Sequence, residues 1–273
     1  LMTLPDTPER AQWELTLLLT LGPVVIAAKG YAAAEVERVY RRAWQLCQHL
    51  EEPAQLFPVL VGLRRFYQVR AVFQTARELG EQLLVMAQSR NDPALLLEAR
   101  FGIGITLYYL GDCVASRAQC QQGIMLYAAP HQRSRTVFFG QDPGVACYTY
   151  EALALWLLGY PDQALHRSRE GLHLAQQLAH PFSLAFALLH GAVLHTARRE
   201  GQATQEVAEA ALTLAMEQGF AFWLAWGTFL RGWALARQGD AQGGIAQMCQ
   251  GLEAARAIGA EVGRSGFLAL LAQ

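Results

Sequence analysis

Two glycines 12 residues apart recur along the chain as Gly111 and Gly123, Gly159 and Gly171, and Gly239 and Gly251. The copies read GDCVASRAQCQQGIMLY, GYPDQALHRSREGLHLA and GDAQGGIAQMCQGLEAA, each after an apolar segment of about 16 to 20 residues. A weaker copy starts at Gly201 (GQATQEVAEAALTLA), and two degenerate ones come earlier, GYAAAEVERVYRRAWQL and RAVFQTARELGEQLLVMA. The apolar segments open at Pro53, Pro93, Pro143 and Pro181, and the series continues at Ala221 and Glu261, with spacings of 40, 50, 38, 40 and 40 residues. Proline suits the first turn of a helix, where its missing N–H has no intrahelical partner to lose, and glycine resolves a helix end. A period near 40 with two apolar helical patterns per unit predicts an α-solenoid: one hairpin cannot bury its own apolar face, whereas stacked hairpins share a core.

The chain reads as one domain over residues 1–273, with hairpins at about 5–52, 53–92, 93–128, 143–180, 181–220 and 221–260 and a truncated helix at 261–273. The 50-residue interval holds an insertion, APHQRSRTVFFGQDPG at 129 to 144, rich in turn residues; it predicts a loop over 129–142. Composition agrees with a large core, at 53% hydrophobic and 16% charged residues. A formal charge of -1 supplies no field for a polyanion or an anionic membrane, so neither nucleic acid nor membrane is an expected partner. Five scattered cysteines with no C-x-x-C pair signal neither a disulfide framework nor a zinc site and fit a reducing, cytoplasmic setting. The most apolar run, LTLLLTLGPVVIAA at 15 to 28, is too short for a membrane span and reads as a buried helix kinked at Gly22-Pro23. The opening Leu1-Met2 and the uncapped ending FLALLAQ read as a piece of a longer polypeptide, whose last helix exposes an apolar flank and favours homodimers.

Gly232 stands seven residues before Gly239 and Gly104 seven before Gly111, with Ala152 in the same slot of the fourth unit. These small residues, the turn glycine and the following GD resemble the tetratricopeptide repeat, which implies a right-handed α-solenoid of tetratricopeptide-like hairpins. The family's period is about 34 residues, shorter than here, and HEAT-like repeats of similar length stay open. The longer unit looks like the helical sensor region of large bacterial signalling ATPases, including MalT-type transcriptional activators. LPDTPERAQWELTLLLTLGPVVIAAKGYAAAEVERVYRRAWQLC and GQDPGVACYTYEALALWLLGYPDQAL resemble the repeat region of bacterial proteins that fuse a class III adenylate or guanylate cyclase to a predicted AAA-type ATPase. This implies a sensor or scaffold module of such a protein, alongside the parent's catalytic domains. The alternative it leaves is the effector-binding region of a MalT-type regulator.

No Walker, dinucleotide-binding, nucleophile-elbow or HExxH pattern is present, so catalysis and cofactor binding have no motif to rest on. His166, His173, His180, His190 and His195 form the densest histidine cluster, but His166 and His173 lie seven residues apart, too far to share one ion. A cryptic enzyme would use His190 or His195 with a carboxylate. Arg64, Arg65, Arg70 and Arg77, interleaved with aromatics, read as the solvated face of a hairpin rather than a single-strand binding surface. A peptide, protein or small effector would bind the concave face lined by the first helices. Counting back from each turn glycine, the candidates are Phe66 and Tyr67; Phe101, Tyr108 and Tyr109; Thr149 and Trp156; His195, Arg198 and Arg199; and Trp226, Phe229, Trp233 and Arg237. Phe138 and Phe139 of the insertion are a second candidate site.

Overall fold

The computed structural model describes residues 7–50, 53–128 and 141–273. They form helical hairpins throughout: α1 (Pro8–Lys29) with α2 (Ala34–His49), α3 (Pro53–Val69) with α4 (Phe73–Arg90), and α5 (Pro93–Tyr109) with α6 (Cys113–Tyr127). There follow α7 (Pro143–Leu157) with α8 (Pro161–Leu178), α9 (Pro181–Ala197) with α10 (Gly201–Gln218), α11 (Ala221–Arg237) with α12 (Ala241–Ala257), and a short α13 (Arg264–Leu271). The fold is an all-α solenoid.

The repeated residues each have a local task. Gly111, Gly159 and Gly239 adopt φ of 85°, 85° and 109°, the region glycine enters without Cβ strain, and so reverse the chain between the helices of a hairpin. The aspartate after Gly111 and Gly239 caps the second helix: Asp112 accepts from the Ala115 N–H and Asp240 from the Gly243 N–H. In the second and fifth units Ala71 (φ 57°) and Arg199 (φ 63°) hold the reversing position. The weak copy at Gly201 is therefore out of register, since Gly201 opens α10 and the turn residue is Arg199.

Helices α3, α5, α7, α9 and α11 pack on one another as an inner layer, each also against the second helix of its own hairpin. That position requires apolar residues around most of the circumference, and α7 accordingly buries Val145, Ala146, Cys147, Tyr150, Leu153 and Leu155. The second helices form the outer layer, with narrow buried stripes such as Ala164, Gly171, Leu174 and Ala175 of α8.

The arc curls until its ends meet. Tyr31, in the turn after α1, packs edge-on against Phe182 of α9 and Phe222 of α11, with ring centroids 5.9 and 6.2 Å away. The backbone N–H groups of Glu261 and Val262 both donate to the Val69 carbonyl at the end of α3, each at 2.9 Å. Beyond them, α13 stacks Phe267 on Phe229 at 4.2 Å, burying the central aromatic of the expected apolar flank, while Leu268 stays exposed.

Helix α1 departs from the sequence reading. It is not buried: only Ala11, Leu15 and Gly22 are, and Trp13 (68% exposed), Leu17, Leu21 and Val24 form a solvent-facing stripe. It packs chiefly against α2, with smaller contacts to α3 and α11. It docks through Gly22, whose missing Cβ leaves room for the Tyr40 ring, and through Glu14, which accepts two hydrogen bonds from Arg42 at 2.6 and 2.9 Å. The apolar run extends at both ends into a 22-residue helix, long and apolar enough by length and composition to cross a membrane.

Candidate ligand chamber

Closure of the arc turns the concave face into two adjoining cavities. The inner one, about 60 Å³, takes its walls from five successive first helices: Arg64 and Gln68 of α3, Phe101 and Tyr109 of α5, Tyr150 of α7, Phe186 and His190 of α9, and Trp223 and Trp226 of α11. The contributing residues shift along the series, from the C-terminal half of α3 to the start of α11. The superhelical arrangement thus brings the later parts of α3 and α5, the middles of α7 and α9 and the start of α11 to the same space.

Charge at the inner cavity is concentrated on α3 and α5. Arg64 and Glu98 are each 1% exposed, and Arg65 is nearly as buried. Arg65 Nη2 donates to both carboxylate oxygens of Glu98, at 3.0 and 3.3 Å, while Arg64 Nη2 stands 3.6 Å from Glu98 and makes no hydrogen bond. The Arg64 side chain runs against α5, where only a glycine fits: a Cβ on Gly102 would lie 2.6 Å from Arg64 Nε. Burial pushes the Arg64 guanidinium down to about 10, with Glu98 opposing, so it remains a cation at neutral pH. Burial likewise raises Tyr31 and Tyr109 to about 12 and keeps their hydroxyls protonated.

His190 is sandwiched by aromatics, 4.1 Å from the Phe186 ring and 5.5 Å from Trp226 between centroids. Nδ1 lies 2.9 Å from the Phe186 carbonyl and Nε2 3.3 Å from the Tyr150 hydroxyl. Burial moves its pKa from 6.5 down to about 4. Below pH 6.5 the unfolded chain takes up a proton that the folded one refuses, so this site's contribution to stability falls as pH drops through that window. We expect wild type to lose about 3 kcal/mol more than His190→Phe between pH 7 and 4, as urea unfolding at both pH values measures.

The outer cavity, about 710 Å³, opens between the two ends of the arc. Thr16, Thr20 and Pro23 of α1 face Gln55 and Pro58 of α3 across it, and residues around the starts of α9 and α11, His180, Phe182 and Phe220, close the far side. Tyr31 and Arg65 stand in the walls of both cavities.

Of the residues expected from the sequence, the structure brings Phe101, Tyr109 and Trp226 to the inner cavity. It places Phe66, Phe229 and Trp233 inside the core, Tyr108 and Trp156 half-buried against it, and Thr149 bonded to the Val145 carbonyl of its own helix. Tyr67 accepts a hydrogen bond from Arg41 at 2.9 Å on the outer side. His195 and Arg198 bind Glu200 at 2.6 and 2.7 Å around the α9–α10 turn, where Arg199 is the reversing residue, and Arg237 is exposed at the end of α11. Phe138 and Phe139 lie outside the described residues. The solvated reading of Arg64 and Arg65 is overturned, because α3 is an inner helix and both point inward; Arg70 and Arg77 are exposed as expected. Sequence reasoning missed Arg64, Tyr150, His190 and Trp223 as cavity residues. The adjacent pair Arg64-Arg65 within an apolar first helix was the available signal. Among the described residues no group of three or more His, Cys, Asp or Glu is placed to hold a metal ion.

No protein-family model matches the chain, and no curated protein is significantly similar to it. Solved structures do resemble it. One is the Rap protein complexed with Competence and Sporulation Factor, with 12% identity and a TM-score of 0.66 over 93% of this chain and 80% of that one. Another is BtubC from P. vanneervenii, with 18% identity and a TM-score of 0.56 over 82% of this chain and 90% of that one. Both likenesses span most of the chain and show a tetratricopeptide-like helical-repeat fold.

Proposed function

We propose that the chain is a non-catalytic binding module that holds a peptide or small effector in the outer cavity between α1 and α3, with protein partners reading the closed or open state of the arc. The observation that carries this is the cavity itself. Its 710 Å³ falls within the range of about 300 to 1,000 Å³ typical of ligand pockets. Its walls also come from both ends of the solenoid, so an occupant touches the first two units and the last two at once. A ligand that fits the closed arc better than an open one favours closure by its difference in affinity, and attached domains feel the change. The Rap protein's complex with Competence and Sporulation Factor supports the reading, as a similar fold that holds a factor. A non-catalytic role fits the histidines: His190 contacts a carbonyl and a phenol, and the His195–Glu200 pair ties an outer turn.

The sequence resemblance supports a place in a larger bacterial signalling protein with cyclase and ATPase domains. The effector-binding region of a MalT-type regulator is the alternative setting, and would show a helix-turn-helix domain elsewhere in the full-length protein.

Thr20 is exposed on the cavity wall, so Thr20→Trp fills space without entering the core. Peptides selected against the chain from a display library should lose at least about tenfold in affinity for Thr20→Trp, or 1.4 kcal/mol. Its unfolding free energy should stay within about 0.5 kcal/mol of wild type. Selected peptides that bind the variant as well as wild type would place recognition elsewhere and sink the reading.

A further inference from the structure

The inner cavity holds buried polar groups that its neighbours leave unpaired. Arg64 Nε, Nη1 and Nη2 have no hydrogen-bond partner among the described residues, nor does Trp223 Nε1, and both residues line the same cavity. Guanidinium and indole N–H groups can only donate, so whatever satisfies them must accept. Leaving such donors dry costs about 1 to 3 kcal/mol each, more for a charged group. Glu98 does not relieve Arg64, because its oxygens take their hydrogen bonds from Arg65. Most of the remaining walls are aromatic, among them Phe101, Tyr150, Phe186 and Trp226, and Gln68 and Gln141 add two further Nε2 groups without a partner among the described residues.

The geometry points to a carboxylate site: the inner cavity receives the single carboxylate of a small organic acid or of a peptide end, held by Arg64 and Trp223, while the apolar remainder passes Tyr31 into the outer cavity. This rests on the binding role proposed above and names its ligand chemistry. The space of about 60 Å³ suits one small polar group rather than a whole ligand, being far below the roughly 300 to 1,000 Å³ of ligand pockets. One guanidinium fork offering parallel N–H groups matches one planar carboxylate. A phosphate ester brings a second negative charge, for which the cavity has no further cation, since Arg65 is engaged by Glu98.

Calorimetric titration of the whole chain with 3-phenylpropionate, 3-phenylpropanamide and 3-phenylpropyl phosphate tests the assignment. The acid should bind one to one and at least about tenfold tighter than its amide, equivalent to 1.4 kcal/mol. Arg64→Met should abolish that preference while the amide still binds. Trp223→Phe, which keeps an aromatic ring in place, should weaken the acid severalfold and guards against a folding defect in the arginine variant. Acid and amide binding equally well would overturn the carboxylate site and leave the binding role standing. The phosphate ester binding tightest would overturn the choice of anion. No saturable binding of any probe would overturn the carboxylate site, while the peptide selection against Thr20→Trp decides the binding role.

Discussion

Glu98→Ala lowers the unfolding free energy by about 3 to 5 kcal/mol, the range for removing one partner of a buried ion pair. Glu98 stands 3.0 Å from Arg65 and 3.6 Å from Arg64, and all three side chains are almost wholly withdrawn from water. Truncation strands two buried guanidinium groups near each other without the carboxylate that stands between them. The loss thus combines a missing attraction with a repulsion already present. Arg64→Met should cost much less, because it removes the charge that burial penalises and leaves the Arg65–Glu98 hydrogen bonds in place. Urea unfolding at pH 7 separates the two variants. A loss below about 1 kcal/mol for Glu98→Ala would equal the worth of an exposed pair and contradict the burial of the triad.

Such a triad is hard to read from a sequence, and the reason is geometric. The glycine and proline punctuation exposed the hairpins because it is local: Gly159 and Asp112 act within a few residues of their own turns. Counting candidate groove residues back from each turn glycine does not say at what height along its first helix a unit meets the axis. The superhelix climbs, so α3 offers Arg64 and Gln68 from its C-terminal half whereas α11 offers Phe222 and Trp223 from its start. On α11 the count returns Trp226, which reaches the cavity, together with Phe229 and Trp233, which fall in the core. Closure of the arc is invisible for a related reason. It depends on Tyr31 meeting Phe222 and on Glu261 and Val262 meeting Val69, contacts whose partners lie far apart in the chain and follow no period.

The small residues of the repeat are legible and carry the second large effect. Gly232→Val should destabilise the chain by about 3 kcal/mol or more, the upper end for overpacking, because what it meets is backbone. A Cβ at residue 232 would lie 2.7 Å from the Gly244 carbonyl oxygen and 2.8 Å from the Met248 nitrogen, atoms that cannot move without displacing α12 as a whole. Gly244 and Gly251 meet α11 in the same way, so the last hairpin is held together by three glycines in face-to-face backbone contact. The equivalent slot in the third unit is less tight: a Cβ on Gly104 would meet the Cys120 sulfur at 2.9 Å and backbone only at 3.6 Å. Gly104→Ala should therefore cost less than Gly232→Ala. Gly191 supplies the opposite sign, since a Cβ there would find its nearest atoms at 3.7 and 3.9 Å, ordinary contact inside α9. Gly191→Ala should stabilise by up to about 1 kcal/mol, the difference in helix propensity. Thermal or urea unfolding of the four variants orders them. If Gly232→Val and Gly191→Ala shift stability alike, close backbone approach is not what the repeated glycines provide. The expected order would assign those glycines to packing within a hairpin and leave recognition to the inward-facing residues that climb the axis.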